Sequence, residues 1–437
     1  MKEVVVRIPP SPTGNLHIGT ARTALFNFLF AKQNNGKVIL RMEDTDKERS
    51  TKEFEEDIKI GLEWLSITHD EFYRQSERDE IYKKHLQDLI NSGNAYISKE
   101  TEGDRDEVIR FKNPNKEIKF NDLARGEISF DTTELGNFVI AKSIEEPLYH
   151  LAVVVDDFLM GITHVIRGED GISNTPRQIL IQEALGAPRP IYVHLPLILG
   201  PDRSKLSKRH GAKGVMEYKK EGYLPEAFLN FLAFLGWNPG GENEIFTLDE
   251  LTESFDIEKI QKGGAIYNEE KLRWFNREHL KKMTLEEKKE YIKPILPQLD
   301  EVHERALPII FERIETFGDL AEAFKEGEFS YLNDEIEYDA RLLLWKKDPD
   351  VSTTSKRLEN VKEILEKETW PMNAVVARES VWKYAEEEGK GEILWPLRVA
   401  LSGKERSPDP FVLIEILGKD ISMKRIGDAL TKLKGND

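Results

Sequence analysis

Between Val4 and Met42 the chain passes from the β-branched stretch VVVRI, through the dense loop PPSPTGNLHIGT (Pro9–Thr20), into a helical pattern and back to a second apolar stretch, KVILRM (Lys37–Met42). Val4–Ile8 reads as a buried strand, short and ended by Pro9 and Pro10. From Thr20 to Gln33 the apolar residues Ala21, Ala24, Leu25, Phe28 and Leu29 form the i, i+3, i+4, i+7, i+8 stripe of an amphipathic helix, which Gly36 is expected to end. Strand, helix and strand in so short a span make one βαβ unit. That commits the N-terminal region to an α/β fold with parallel strands.

Length and composition bound the rest. At 437 residues the chain is too long for one ordinary core. With 39% hydrophobic and 33% charged residues it reads as soluble and globular rather than disordered. No apolar run approaches the roughly 18 residues that span a bilayer, and MKEVVVRIPP lacks the apolar core of a secretory signal. The absence of cysteine excludes disulfides, thiolate zinc sites and Cys nucleophiles, and fits a reducing cytoplasm. No HExxH motif is present. The expectation is a cytoplasmic protein without a membrane partner. A net charge of −17 does not attract nucleic acid globally, but local basic patches can. RSKLSKRHGAKG (Arg203–Gly214) is one such patch. REHLKK (Arg277–Lys282) and the tail KRIGDALTKLK read instead as solvated faces.

Further along, residues 94–143 are polar with short β-like runs (DEVIRF, EISFDT, NFVIAK), the texture of a small antiparallel insertion. Apolar stretches read as strands then return: AVVVDD, GITHVIRG and PIYVHLPLIL. Between the last two, TPRQILIQEALG reads as a helix with Thr175 as N-cap, Pro176 at the first position and Gly186 at the end. After Gly222 the pattern is helical. Leu224, Ala227, Phe228, Phe231, Leu232 and Leu235 make one stripe ended by Gly236, and a last helix near Phe411–Leu417 is closed by Gly418. The expected fold is α/β: a Rossmann-like parallel-sheet domain split by a small α+β insertion and followed by an all-α C-terminal half. The expected divisions are 1–93 and 144–222 for the split domain, 94–143 for the insertion, and 223–308 and 309–437 for two helical domains.

In open α/β sheets, ligands bind at the carboxyl ends of the strands, near helix N-termini. The opening loop is at that place. Gly14 and Gly19 would let the backbone approach a ligand, the first helix would offer unpaired N–H groups to an anion, and His17 can donate to a phosphate oxygen. The loop matches neither GxxxxGK[ST] nor GxGxxG. A second element, KLSKR (Lys205–Arg209), carries two lysines able to reach a polyphosphate as mobile point charges. Alone, each is satisfied by an ordinary structural or solvated loop. One on the first strand–helix turn and the other after the last strand form a long-range pair, HIGH-like and KMSKS-like.

With these residues in view, the chain resembles class I aminoacyl-tRNA synthetases and, within them, the bacterial glutamyl-tRNA synthetases. The matching stretches are RIPPSPTGNLHIGTARTALFN, ILRMEDTD, YRQSER, DLARGEISF, YHLAVVVDDFLMGITHVIRGED, SNTPRQIL, HLPLILGPDRSKLSKRHGA and GGAIYNEEKLRWFN, with a weaker match in LRVALSGKERSPDPFVLIEILGK. The resemblance implies activation of L-glutamate with ATP to glutamyl-adenylate and pyrophosphate, then transfer to the 3′ end of tRNA(Glu). It implies His17, Lys205 and Lys208 as catalytic. ATP would be held by Pro10, Gly14, His17, Gly19, Thr20, Lys205, Leu206, Ser207, Lys208 and Arg209. Mg²⁺ would accompany the ATP phosphates, with no metal or zinc site on the protein. Glutamate would be held by Arg7, Ser11, Glu43, Tyr149 and Arg167. A guanidinium fork fits a side-chain carboxylate and fits a neutral amide poorly, and Glu43 would take the substrate ammonium. Arg7 is expected at the end of the first strand, facing the opening loop's crevice.

By the same resemblance the insertion would bind the tRNA acceptor end and residues 223–308 its stem. The last helical domain would read the anticodon with Arg313, Arg398 and Ser407. A monomer is expected. The chain departs from the family pattern at Gly171, where most relatives carry a larger His or Trp, at Pro9, which replaces a usual Ala, and in a shorter insertion without cysteines. Glutaminyl-tRNA synthetases share the fold and both loops but differ where this chain has PSPTG and EDTD. A truncated relative that glutamylates queuosine lacks the helical half, and a small nucleotidyltransferase would be far shorter. A non-catalytic tRNA-binding paralogue would be expected to lose His17 or the paired lysines. Whether tRNA(Gln) is also charged stays open; Arg313 hints at discrimination.

Overall fold

The computed structural model describes residues 3–100, 107–211, 213–297, 300–346 and 350–435, with the side chain of Lys208 outside that description. The chain divides into two compact units, residues 1–279 and 280–437.

The first unit opens with β1 (Val5–Ile8), α1 (Ile18–Gln33), β2 (Lys37–Met42), α2 (Lys52–Trp64), β3 (Glu71–Arg74) and α3 (Asp79–Asn91). The three strands pair in parallel, β1 with β2 and β2 with β3. The helix is longer at its N-terminus than the apolar stripe indicates, and it is buried on both sides, Arg22, Phe26, Asn27 and Phe30 included. Its C-terminal turn also differs from expectation. The left-handed residue is Asn35, with φ 50°. Gly36 is needed for space instead, since a Cβ there would lie 2.3 Å from the Val4 carbonyl oxygen.

Next come β4 (Ala95–Lys99), β5 (Glu107–Phe111), β6 (Glu117–Asp122), β7 (Gly126–Asp131), β8 (Phe138–Ser143) and β9 (Glu146–Pro147). As expected for the insertion they pair antiparallel, but in two groups. One sheet has the order β4-β5-β8-β9, while the β6–β7 hairpin extends a different sheet through the Tyr192–Asp122 pair. The chain continues with α4 (Tyr149–Leu159), β10 (His164–Gly168), α5 (Thr175–Leu185), β11 (Ile191–Leu195) and β12 (Ile198–Leu199). AVVVDD, expected as a strand, lies within α4, with Leu151–Asp157 buried throughout. A short apolar run looks the same in a buried helix and in a buried strand, and here packing against α3 and α5 decides. Thr175 is not a cap. A 3-10 segment, Glu169–Asn174, runs directly into α5, so the helix needs none, whereas Gly186 closes it in the left-handed region at φ 63°.

β10 and β11 are parallel, and β10 is joined to β1 because Thr163 N donates to the Val5 carbonyl at 2.9 Å. Strand order therefore runs β3-β2-β1-β10-β11. It reverses direction between β1 and β10, the switch point where a crevice opens at the carboxyl ends of the strands. The unit is completed by α6 (Val215–Lys220), α7 (Pro225–Phe234), α8 (Leu248–Ser254), β13 (Ala265–Ile266) and α9 (Glu269–Lys282). Helix α1 packs on β1, β2 and β10 on one side and on α7 and α8 on the other. One apolar core runs through both layers, from Val6 to Phe275.

The second unit is helical among its described residues: α10 (Leu285–Ile292), α11 (Glu301–Arg313), α12 (Phe317–Lys325), α13 (Val351–Glu366), α14 (Ala374–Glu388), α15 (Lys390–Ser402) and α16 (Pro410–Lys434). Within α16, Gly418, at φ 74°, closes a first helix as expected, and a second follows it across a kink. The basic tail expected as a solvated face is the second half of α16. Arg425 in it is 3% exposed and donates to the carbonyls of Tyr331, Leu401 and Asn333. No described helix is long and apolar enough to cross a membrane.

Candidate active site

The opening loop is held at both ends of its path. The Pro10 carbonyl accepts from Glu43 N at 2.9 Å, the Pro12 carbonyl accepts from Thr51 N at 3.1 Å, and Leu16 N donates to Asp57 Oδ2 at 2.8 Å. The imidazole of His17 caps α1, with Nδ1 accepting from Gly19 N at 3.1 Å and Thr20 N at 3.3 Å. The expected free N–H groups at this helix start are therefore already occupied in part. The cap fixes the tautomer: Nδ1 is the acceptor, so Nε2 carries the hydrogen, 3.1 Å from Thr20 Oγ1. A phosphate would meet Nε2–H rather than the two capped backbone groups. Gly19 is spare of side chain for the ring, which a Cβ would approach to 3.1 Å, whereas a Cβ on Gly14 would face open space. Desolvation, then the charge of Lys205, lowers the His17 pKa and favours the neutral ring.

The second loop leaves β12 through a tight turn, with Gly200 N donating to the Ser204 carbonyl and Leu206 N to the Ile198 carbonyl, both at 2.9 Å. Leu206 packs against the core. Lys205 is exposed, its Nζ 3.4 Å from Asp170 Oδ2. Ser207 N donates to His210 Nδ1 at 3.2 Å, and Arg209 is exposed and bonded to Ser204 Oγ at 3.0 Å. The Lys208 side chain lies outside the described residues. The two loops, nearly 190 residues apart, are joined: Val215 N donates to the Leu16 carbonyl at 2.8 Å, and His17 and Gly214 form an antiparallel bridge. This junction brings His17, Lys205 and Asp170 into one electrostatic neighbourhood.

Beneath the loops lies a buried ionic cluster. Arg7, 1% exposed, donates through Nε to Asp157 Oδ1 at 3.3 Å and through Nη1 to the Ile166 carbonyl at 3.5 Å. Its other guanidinium hydrogens meet no described protein acceptor. Arg41, fully buried, bonds Asp157 Oδ1 at 2.7 Å and Glu43 Oε1 at 2.9 Å, with Asp156 at 3.8 Å. Asp156 also accepts from Arg78, Gln75 and Tyr82. Burial alone would raise the Asp157 pKa, but Arg7 and Arg41 outweigh it and hold the carboxylate low. For Glu43 burial prevails over Arg41, and its pKa is raised. Tyr149 opens α4 on the rim. Desolvation raises its pKa, and the charges of Glu43, Arg167 and Arg7 all reach it. Ser11 is exposed beside the buried Pro10.

Arg167, on β10, is far more committed than Arg7. Its Nε donates to His194 Nε2 at 3.1 Å, Nη1 to Gln178 Oε1 at 2.9 Å, and Nη2 to the Gly171 carbonyl at 3.0 Å and Thr175 Oγ1 at 2.8 Å. His194 in turn lies 2.6 Å from Asp122 Oδ2 through Nδ1. The hairpin turn is plugged in beside it, with Arg125 paired to Glu169. Sequence reasoning finds Arg7, Ser11, Glu43, Tyr149 and Arg167 but not Arg41, Asp156, Asp157, Asp122, His194 or Thr175. Arg41 carried the same signal as Arg7, a charge inside an apolar strand. The acidic pair was hidden by reading AVVVDD as a strand.

In the second unit Arg313 pairs with Glu328 at 3.3 Å, and Lys404 bonds the Glu328 carbonyl at 3.2 Å. The Nε of Arg398 is buried without a partner among the described residues. Ser407 Oγ donates to the Pro408 carbonyl at 3.1 Å. Among the described residues, no group of three or more His, Asp or Glu side chains could hold a metal ion.

Residues 3–105 and 97–274 match the family model for the catalytic domain of class I tRNA synthetases (E and Q), and residues 270–430 match that of an anticodon binding domain. The chain is 40% identical to a glutamate–tRNA ligase of Aquifex aeolicus, over 99% of this chain and 100% of that protein. It is 40% identical to that of Carboxydothermus hydrogenoformans, over 97% and 99%. Its fold is similar to the crystal structure of a glutamate tRNA ligase from Elizabethkingia meningosepticum in complex with its amino acid. The TM-score is 0.87 with 32% identity, covering 99% of this chain and 100% of that one.

Proposed function

We propose a division of labour among the site residues on one premise: the chain belongs to the glutamate–tRNA ligases of the class I synthetase family. Its substrates are ATP, L-glutamate and tRNA. The carboxylate of glutamate is ionised at neutral pH and needs no general base to attack the α-phosphorus of ATP. A bond forms from carboxylate oxygen to phosphorus, the bond to the β-phosphate oxygen breaks, and pyrophosphate leaves. A hydroxyl at the 3′ end of tRNA(Glu) then attacks the activated carbonyl and AMP departs. The first step is governed by positioning and charge stabilisation.

The observation that carries the proposed roles is the junction of the two loops, Val215 N to the Leu16 carbonyl at 2.8 Å, which sets His17 beside Lys205. His17 donates Nε2–H to the α-phosphate, and Lys205 and Lys208 stabilise the charge that grows on the phosphates and on pyrophosphate. Pro10, Gly14, Gly19, Thr20, Leu206, Ser207 and Arg209 shape the nucleotide site. Arg7 has donors to spare and takes the side-chain carboxylate, with Arg167 as its second cation. Glu43, whose Oε2 has no described partner, takes the substrate ammonium, a contact that would offset the burial that raises its pKa. Ser11 and Tyr149 close the pocket. A divalent cation such as Mg²⁺ enters with ATP and is held by phosphates and water rather than by a protein cage.

The five-part division stated above is proposed to serve catalysis (1–93, 144–222), the acceptor end (94–143), the stem (223–308) and the anticodon (309–437, with Arg313, Arg398 and Ser407), in a cytoplasmic monomer. The test is pyrophosphate exchange and tRNA charging with glutamate and with glutamine, on purified tRNA(Glu) and tRNA(Gln). Glutamate-dependent charging of tRNA(Glu) with glutamine excluded supports the reading. No glutamate product on tRNA(Glu) removes it, and charging of tRNA(Gln) would assign the broader tRNA specificity.

A further inference from the structure

Gly171 sits in the 3-10 segment that follows β10, and its φ lies outside the left-handed region, so the backbone there would accept any residue. What excludes a side chain is Arg167. A Cβ on Gly171 would lie 2.5 Å from Arg167 Nε, 2.8 Å from Cδ and 3.0 Å from Cζ. Arg167 thus occupies the volume a side chain at 171 would fill. The nest it drops into is built on every side. Gly171 gives its carbonyl, Thr175 its hydroxyl, Gln178 its amide oxygen and His194 the lone pair of Nε2. That lone pair is available because His194 directs Nδ1 at Asp122 Oδ2, and Asp122 is itself fixed by accepting from Ala124 N, Arg125 N and His194 N. Four of the five guanidinium hydrogens are so used, and one is left for substrate.

We propose that Gly171 is a positioning residue for the substrate arginine: lacking a side chain, it lets Arg167 settle in this nest and so sets the affinity for glutamate and the discrimination against glutamine. The proposal rests on the assignment of Arg167 to the glutamate pocket. On this chain's backbone a Cβ at 171 would meet the guanidinium where it now lies, displacing it, breaking the bonds from Nε and Nη2, and replacing a preorganised cation with a mobile one.

The test is a double-mutant cycle on the full chain, with KM and kcat for glutamate measured in tRNA(Glu) charging at saturating ATP and tRNA. Gly171→Ala is expected to raise KM about tenfold with kcat within about threefold. In the Arg167→Ala background the same change should alter KM less than about twofold, because its target is gone. An unchanged KM in Gly171→Ala, or an equal rise with and without Arg167, overturns the proposal. The two readings separate cleanly. A wild-type KM in Arg167→Ala removes the pocket assignment itself, whereas a raised KM there with an unaltered Gly171→Ala removes only the role of Gly171. Thermal melting guards the comparison. If Gly171→Ala melts low, the double variant, which has no clash, must melt like Arg167→Ala, and a melt clearly below that of Arg167→Ala overturns the proposal.

Discussion

Asp157→Asn removes one charge from the buried cluster while keeping volume and one oxygen. Arg7, Arg41 and Arg78 face Glu43, Asp156 and Asp157, so the ionised cluster is neutral as it stands. Both Arg7 Nε and Arg41 Nη1 point at the same Asp157 oxygen, at 3.3 and 2.7 Å. An asparagine oxygen can still accept those bonds, so the substitution isolates charge from hydrogen bonding. The cluster then holds an uncompensated guanidinium out of water. Removing one partner of a buried ion pair costs about 3–5 kcal/mol, which for a unit of this size lowers its melting temperature by roughly 10 °C. A urea titration of the full chain, followed by hydrogen exchange of peptides from residues 3–279, reads the loss in that unit alone. Adding Arg7→Met, which deletes the stranded cation, is expected to recover at least about 2 kcal/mol. A loss below about 1 kcal/mol in Asp157→Asn, or no recovery in the double variant, would refute the charge-balance reasoning.

Three further outcomes are expected. His17→Asn keeps a good N-cap but loses Nε2–H, so stability should hold within about 0.5 kcal/mol while charging falls by roughly 100-fold or more. A parallel loss of both in melting and charging assays would mean that His17 acts only as a cap. Lys208→Ala should cut glutamate activation by about 100–1,000-fold with an unchanged melting curve, and near-normal turnover would remove that lysine from the mechanism. Burial, with Arg177 and Arg167 nearby, pushes the His150 imidazole down to about 4 from an ordinary 6.5. The unfolded chain then takes up the proton first, so this residue's contribution is complete above pH 6.5 and is lost as pH falls toward 4. The loss is at most about 3 kcal/mol. Stability measured by urea titration across that window should fall less steeply in His150→Phe, and identical slopes would contradict the buried neutral ring.

The βαβ opening and the two loops were legible because each is marked locally, whereas Arg7, Glu43 and Arg167 became pocket candidates through the family resemblance. Apolar periodicity shows the strand and helix, Pro and Gly punctuate the loops, and a charge inside an apolar strand announces itself. The partners of those charges carry no such mark. Arg41 finds Asp157 across 116 positions, and His194 finds Asp122 across 72. Each pairing depends on how strands are ordered in the sheet, and neighbouring residues say nothing of that order. The misread elements follow the same rule. AVVVDD is apolar enough for either a buried strand or a buried helix, and the layer it packs against chose the helix. Gly418 and Asn35 took the conformations that local chemistry allows, but Gly36 and Gly171 are glycines because of atoms brought against them from elsewhere in the fold. Local chemistry thus settled where the opening strand, its helix and the two loops fall. Long-range packing settled which charges are paired, which donors have no described protein partner, and where a side chain has no room.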